Sequence, residues 1–184
     1  IAAWTSLPVG VVTLSEKFDG RNVSPHSFAA MSDHVWHMLE AFEREHGFRE
    51  RIGGSNVHFL GTSGTVTTIA GIMLNLPRYD RNLVDGLWLE TDTVERITRS
   101  LIATTYEQRI AEPCIGRERA DLVLAGCAIL DAILRMWPAN RLRVADRGLR
   151  EGILTTLMIE DGVWRSGRRR RRQAERRFVA ERAP

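Results

Sequence analysis

Helices and strands are predicted to alternate along the chain, because apolar residues spaced three and four apart alternate with short β-branched runs. The clearest helical stretch is 25–47, where Ser24 and Pro25 are typical of a helix start and Gly47 of a helix end. The same periodicity predicts further helices at 63–76, 91–104 (with Thr91 as its cap), 104–111, 117–137 and just after Asp146.

Strands are predicted where β-branched and apolar residues cluster between turn signals. These segments are 5–14, 56–61 and 141–146, with a short extended piece around 87–90. Without the short helix at 104–111 and the extended piece around 87–90, the resulting order is strand, helix, strand, three helices, strand and helix. Strands that alternate with helices predict an α/β sheet with helices on its faces.

The composition indicates the size and class of the protein. A length of 184 residues suits one domain, and 43% apolar with 27% charged residues is typical of a soluble globular protein. The longest apolar run, Leu122 to Leu130, falls far short of the ~20 residues of a membrane helix. We therefore expect no membrane contact. The chain begins at Ile1 rather than at Met, which indicates a fragment or a processed product.

The two cysteines, Cys114 and Cys127, are too few for a disulfide framework. Cys127 lies in an apolar run and is interpreted as core packing. Cys114 has no neighbouring base in the sequence that would activate a catalytic thiol. A reducing compartment, the cytoplasm, is therefore predicted.

Positive charge is concentrated at the carboxyl end of the chain. Residues 165–184 contain nine Arg and two Glu, a net charge of +7, whereas the whole chain carries only +3. About −4 is therefore left for residues 1–164, so the basic character belongs to the tail. We divide the chain into a domain at 1–162 and an Arg-rich tail at 163–184, which is predicted to be disordered.

The most informative local motif is the turn at 61–65, Gly-Thr-Ser-Gly-Thr, which follows a strand and opens a helix. Glycines allow a ligand to approach the backbone closely, and N–H groups at a helix start bind anions. The turn has no Lys, so it is not a Walker A loop. From the spacing alone, phosphate contact and a plain strand-to-helix turn both stay open.

Two charged positions near predicted helix starts are also candidates. Arg119 could bind a phosphate, but a surface pair of Arg119 or Arg117 with Asp121 is the interpretation that the charge pattern alone favours. Asp146 ends a predicted strand, where α/β sheets bind ligands, but capping of the next helix is the interpretation that its position favours.

Metal and nucleophile motifs are weak in this sequence. His34 and His37 lie three apart on the first long helix, but no third ligand is evident, so a solvated helix face is favoured over a metal pair. The sequence shows no Ser–His–Asp arrangement, zinc-spaced cysteine set or dinucleotide-binding fingerprint.

Three segments together resemble a known family. They are "SLPVGVVTLSEKF", "GTSGTVTTIAG" and "RADLVLAGCAILDAIL…RLRVADRGLREGIL", and they occur in this order over residues 4 to about 160. The resemblance is to the exopolyphosphatase / guanosine pentaphosphate phosphohydrolase family. The third segment is the most specific, because "DRGLREG" has no generic reason to recur.

The resemblance implies a fold, and it implies that this chain contains only a part of that fold. The expected fold is an α/β, ribonuclease H-like lobe of the actin and hexokinase type, a mixed sheet with helices on both faces and with its N-terminal strands missing. The family's catalytic lobe, its catalytic glutamate and its "GGGS" phosphate loop have no counterpart here, so no catalytic residue is expected in this chain. Exposed strand edges and the absent lobe predict a piece that is marginally stable and inactive alone.

The activity implied by the resemblance is release of terminal phosphate from inorganic polyphosphate or guanosine pentaphosphate. Mg²⁺ is implied as cofactor, with its ligands outside this chain. Dimers are common in the family, so a homodimer is a further expectation. The residues expected to contact phosphate are Gly61, Thr62, Ser63, Gly64, Thr65 and Arg119.

Two other functions stay open at this point. A non-catalytic module could bind polyphosphate, RNA or ribosomes through the Arg-rich tail. A sugar or acetate kinase would share the fold, although "DRGLREG" counts against it and a fold alone does not determine chemistry.

The tail leads to a testable prediction. Deleting residues 165–184 should weaken binding to polyphosphate and RNA and should flatten its salt dependence, because counterion release grows with the number of phosphate contacts. The measurement is the affinity of intact and truncated protein at several salt concentrations. Equal affinities with equal salt slopes would contradict a binding role for the tail.

Overall fold

The computed structural model describes residues 1–52 and 59–163. The chain divides into two compact units, Ile1–Asp146 and Arg147–Pro184. The helices of the first unit are α1 (Val11–Phe18), α2 (Pro25–His46), α3 (Phe48–Ile52), α4 (Gly64–Met73), α5 (Arg81–Val84), α6 (Thr91–Ile102), α7 (Tyr106–Ala111) and α8 (Val123–Met136). Its strands are β1 (Phe59–Gly61), β2 (Trp88–Glu90) and β3 (Arg141–Val144). The described part of the second unit contains α9 (Leu149–Glu160).

The three strands form a mixed sheet in the order β1-β3-β2. β1 runs parallel to β3, with Gly61 opposite Val144, and β2 runs antiparallel to β3. Val144 is buried in the core together with Leu89 and Leu142. Among the described strands β1 pairs on one side only, and Leu60 at this edge is 63% exposed. The predicted α/β class is confirmed.

The long helix α2 begins and ends where the sequence predicts. The Ser24 hydroxyl accepts a hydrogen bond from the N–H of Ser27 at 3.1 Å, which caps the helix. Gly47 ends it with a left-handed φ of +59°, a conformation that glycine adopts readily. The helix packs along α8, and its buried residues are Phe28, Met31, Ser32, Val35 and Leu39.

The strand predicted at 5–14 is wrong. Residues from Val11 onward form α1, and no regular structure precedes them. Leu14 is buried whereas Val12 is 51% exposed, so one face of a helix, and not alternate residues of a strand, lies against the core. The β-branched residues favoured a strand, but none of the described strands pairs with this segment.

Two helix starts also differ from the prediction. The helix predicted at 117–137 begins only at Val123, because residues 117–122 form turns. Thr91 is not a cap but the first residue of α6, and its hydroxyl donates to the carbonyl of Ala139.

Two predicted segments extend beyond the described residues. The strand predicted at 56–61 is confirmed over 59–61, and its residues 56–58 lie outside the description, as do residues 164–184 of the tail. Of the helices that the structure describes, none combines the length and apolar character that a bilayer crossing requires.

Candidate functional site

The turn at 61–65 lies where two parallel strands end together. Gly61 is the last residue of β1 and pairs with Val144, the last residue of β3. The N–H of Ala145 donates to the carbonyl of Gly61 at 2.9 Å and continues this pairing. The turn and Asp146 therefore follow adjacent strands at the same edge of the sheet, the edge at which α/β proteins bind ligands.

The turn opens α4 with an exposed, polar helix start. Ser63 is the N-cap, and its hydroxyl accepts a hydrogen bond from the N–H of Val66 at 3.3 Å. Thr62, Ser63 and Gly64 are exposed. The first N–H groups of any helix have no acceptor within the helix, so those of residues 64 and 65 are available to an anion.

Gly61 is required by close packing rather than by an unusual backbone conformation. A Cβ atom at this position would lie 2.8 Å from Cγ2 of Val66, closer than side chains pack. Because Val66 is buried in the core, it has little room to move. The glycine therefore lets the first turn of α4 fold back against the end of β1.

Arg119, which the resemblance implies as a phosphate contact, lies over the turn. Its Nη1 would be 3.3 Å from a Cβ at Gly64, and it donates a long hydrogen bond of 3.5 Å to the hydroxyl of Thr68. In the described residues no ion pair within 4.0 Å joins Arg119 or Arg117 to a carboxylate, so the alternative pair with Asp121 is not formed. Arg119 thus presents an exposed cation next to the start of α4.

Thr65 differs from the other predicted contact residues. Its side chain is directed at α8, where a Cβ on Gly126 would lie 2.0 Å from the Thr65 hydroxyl oxygen. The side chain therefore packs the start of α4 against α8.

Asp146 does not cap the next helix, because it is engaged by Arg81. Arg81 Nε donates to Asp146 Oδ2 at 2.6 Å and Nη2 donates to the Asp146 carbonyl at 3.0 Å. The Asp146 N–H in turn donates to Asp85 Oδ1 at 2.9 Å. Gly148 occupies the cap position of α9. The hydrogen bond from Arg81 holds the pKa of the Asp146 carboxyl below its ordinary value, and the positive charge of Arg119 acts in the same direction.

Tyr79 is a further residue of this edge that sequence reasoning missed. Its hydroxyl is buried next to the side chains of Asp146 and Thr67, although it makes no hydrogen bond of ordinary geometry in the part of the chain described. Burial, and then the adjacent Asp146 carboxylate, raise the pKa of the Tyr79 hydroxyl, so it stays protonated at neutral pH. The only signal in the sequence is the polar cluster Arg78-Tyr79-Asp80-Arg81, whose partner lies 65 residues away.

Metal-binding groups do not converge at this edge. In residues 1–52 and 59–163, no three or more His, Cys, Asp or Glu side chains are placed to hold a metal ion. His34 lies 3.1 Å from Lys17 Nζ, and His37 lies 3.0 Å from Glu40, so the two histidines have separate partners.

The fold and the turn are those of an α/β protein with a ligand-binding edge at the carboxyl ends of its parallel strands. Comparison with known proteins identifies the family. The chain belongs to the Ppx/GppA phosphatase family, whose model matches residues 1–160.

Relatives of known name and structure agree with this assignment. A putative exopolyphosphatase of Haemophilus influenzae is 27% identical over 154 residues, 81% of this chain and 43% of that protein. The crystal structure of the Aquifex aeolicus Ppx/GppA family member is 25% identical, with a TM-score of 0.68, over 85% of this chain and 49% of that one. An exopolyphosphatase from Cytophaga hutchinsonii, 21% identical with a TM-score of 0.66 over 86% of this chain and 49% of that one, shares the fold. The chain thus spans about half the length of these relatives.

Gly126 provides a test of how the turn is held. Gly126→Ala should lower the free energy of unfolding by about 1–3 kcal/mol, because the added methyl collides with Thr65 at the start of α4. Gly152→Ala is the matched control, since a Cβ at Gly152 meets nothing within 4 Å. It should raise stability by about 0.5–1 kcal/mol, the usual gain for removing a glycine from a helix. Urea unfolding of the full-length gene product measures both, and equal effects would contradict the contact.

Proposed function

We propose that this chain supplies one side of the active-site cleft of a phosphoanhydride hydrolase. The substrate is inorganic polyphosphate or guanosine pentaphosphate, and the reaction releases its terminal phosphate. The observation that carries the proposal is the position of Arg119, an exposed cation over an exposed helix start, in a member of the Ppx/GppA phosphatase family.

The turn and Arg119 offer complementary donors to phosphate oxygens. The N–H groups of residues 64 and 65 supply hydrogen bonds at the positive end of α4. Thr62 and Ser63 add exposed hydroxyls. Arg119 can donate two parallel hydrogen bonds to one phosphate, which makes a charge-assisted contact. Bound between these groups, a phosphate would lie at the open edge of the sheet.

The groups that carry out the chemistry are expected outside the described residues. In the reaction, water attacks the terminal phosphorus, the P–O–P bond breaks, and the oxygen of the shortened chain leaves with the electron pair. Asp146, the carboxylate beside Arg119, is bonded to Arg81 and has a lowered pKa, so it is a poor base. We therefore assign general-base catalysis to a glutamate of a second lobe, as in the family that the chain resembles.

The same reasoning applies to the cofactor. Mg²⁺ would offset phosphate charge when bound, but the described residues contain no suitable ligand cluster. We assign its ligands to the second lobe as well, so the role of this chain is to bind and orient the substrate. Both cysteines are free and buried, which suits the reducing cytoplasm.

Two observations support the proposal that activity requires a further part of the protein. One is the share of the relatives that this chain covers, and the other is the unpaired edge of the sheet. The chain covers 43% of the Haemophilus relative. β1 has an unpaired edge among the described strands, and Leu60 is exposed there. We therefore propose that the 184-residue chain alone releases no phosphate and tends to aggregate.

Substitution of Arg119 tests the proposed role of the site. Arg119→Ala should lower kcat/KM for phosphate release from long-chain polyphosphate about 10- to 100-fold, because it removes a hydrogen bond from a charged group. Arg119→Lys should recover part of this loss, since it keeps the charge but not the bidentate geometry. The assay is phosphate release by the full-length gene product with Mg²⁺ present.

Arg99→Ala is the matched control for Arg119→Ala. Arg99 is also an exposed arginine, and its only partner in the described ion pairs is Glu95 on the same helix, at 3.5 Å. Its removal should leave kcat/KM unchanged. Equal activity of the two variants would contradict the role of Arg119. No release by the full-length protein from either proposed substrate would contradict the hydrolase and favour a binding module that acts through its Arg-rich tail.

A further inference from the structure

Arg109 is a charged residue that is buried in the core. Its side chain is 1% exposed, and within the described chain no ion pair reaches it. Burial lowers the pKa of Arg109, but an arginine remains charged at physiological pH. A charge in this position is costly unless hydrogen bonds satisfy it. The hydrogen-bond partners of the guanidinium therefore show which segments of the chain Arg109 holds together.

The partners of Arg109 are backbone carbonyls from three different parts of the chain. Nε donates to the carbonyl of Ala120 at 2.9 Å, and Nη1 donates to that of Thr104 at 2.8 Å. Nη2 donates to Arg21 at 2.7 Å and more weakly to Gly20 at 3.4 Å. One guanidinium thus ties the turn at 117–122 to the end of α6 and to the loop between α1 and α2.

The residue after Ala120 is anchored to the same place. The Ser15 hydroxyl donates to the carbonyl of Asp121 at 2.8 Å. Gly20 permits this approach, because a Cβ there would lie 2.1 Å from both the Asp121 carbonyl and the Ser15 hydroxyl. The two residues that follow Arg119 are therefore fixed through their carbonyls.

Arg119 belongs to the same turn, at 117–122, and directly precedes Ala120. Its backbone is part of the turn, since its carbonyl accepts the N–H groups of Leu122 and Val123 at 3.0 and 2.9 Å. Its own side chain extends to the start of α4, with Nη1 3.5 Å from the Thr68 hydroxyl. That single long contact cannot by itself hold the guanidinium in place. The position of Arg119 therefore depends on the anchored backbone behind it.

We infer that Arg109 is a positioning residue for Arg119, holding the 117–122 turn so that the Arg119 guanidinium lies over Gly64, where it meets the substrate phosphate. This inference rests on the proposed function. The planar fork of an arginine can reach carbonyls in three directions, which a lysine cannot do with one nitrogen. Substitution of a residue that only stabilises the fold would change the Kd for the substrate by the same factor whether or not Arg119 is present.

A double-mutant cycle separates positioning from general stability. The proteins are the full-length gene product and its Arg109→Lys, Arg119→Ala and double variants, and the measurement is the Kd for inorganic polyphosphate, with KM for phosphate release measured beside it. Arg109→Lys should raise Kd and KM about tenfold when Arg119 is present, because a misplaced contact group loses much of its effect. It should leave both unchanged when Arg119 is alanine.

Two further variants keep the test decisive. Val35→Ala, in a buried position of α2, should lower the melting temperature without changing Kd. Ser15→Ala removes the second anchor and should show the same coupling to Arg119 in smaller measure, which provides the test if Arg109→Lys does not fold.

Each outcome bears on the inference. Arg109→Lys with no effect on Kd, or with an equal effect in both backgrounds, would overturn it and leave the proposed function intact. Wild-type protein that binds polyphosphate but releases phosphate from neither polyphosphate nor guanosine pentaphosphate would overturn the hydrolase, while the coupling in Kd still decides the role of Arg109. Wild-type protein that neither binds nor cleaves polyphosphate or guanosine pentaphosphate would overturn both.

Discussion

The parallel pairing of β1 with β3 is the interaction on which the candidate site depends. The register that places Gly61 opposite Val144 makes the two strands end together. The Gly-Thr-Ser-Gly-Thr turn follows β1 and Asp146 follows β3, so both lie at the same edge of the sheet. A shift of one residue would turn the core residues Leu142 and Val144 outward, so burial fixes the register and with it the geometry of the edge.

The cation at this edge comes from a different part of the chain. Arg119 reaches the start of α4 from a turn whose backbone is bound by Arg109 and Ser15. The two arginines, Arg109 and Arg119, therefore have different roles. Arg109 is buried and donates to backbone carbonyls through all three of its guanidinium nitrogens, whereas Arg119 is exposed and lacks a carboxylate partner among the described residues. Arg81 is bonded to Asp146, and no ion pair joins that carboxylate to Arg119 among the described residues. Such an arrangement suits a site that holds anions.

Local signals in the sequence were sufficient for part of this description. Ser24, Pro25 and Gly47 define α2 through capping and turn preferences, which involve only neighbouring residues. The strand-to-helix turn at 61–65 could be found for the same reason. The strand at 5–14 could not be excluded from propensity, because whether β-branched residues form a strand depends on a pairing partner.

The site contacts were harder to predict, because they join distant segments. Arg81 and Asp146 are 65 residues apart, and Arg119 and Thr68 are 51 apart. Sequence patterns alone favoured Asp146 as a helix cap and Arg119 as a surface pair. The structure shows neither the cap nor the surface pair among the described residues, and the resemblance to the Ppx/GppA family offered an alternative role only for Arg119. No sequence pattern indicated the role of Arg109, because its partners are backbone carbonyls, which every residue type carries.

The central claim is that substrate phosphate binds at the start of α4 and at Arg119. A crystal structure of the full-length gene product with tripolyphosphate tests it most directly. The account predicts phosphate oxygens about 3 Å from the N–H groups of residues 64 and 65 and from the Arg119 guanidinium. Tripolyphosphate bound elsewhere, with neither the turn nor Arg119 in contact, would contradict it.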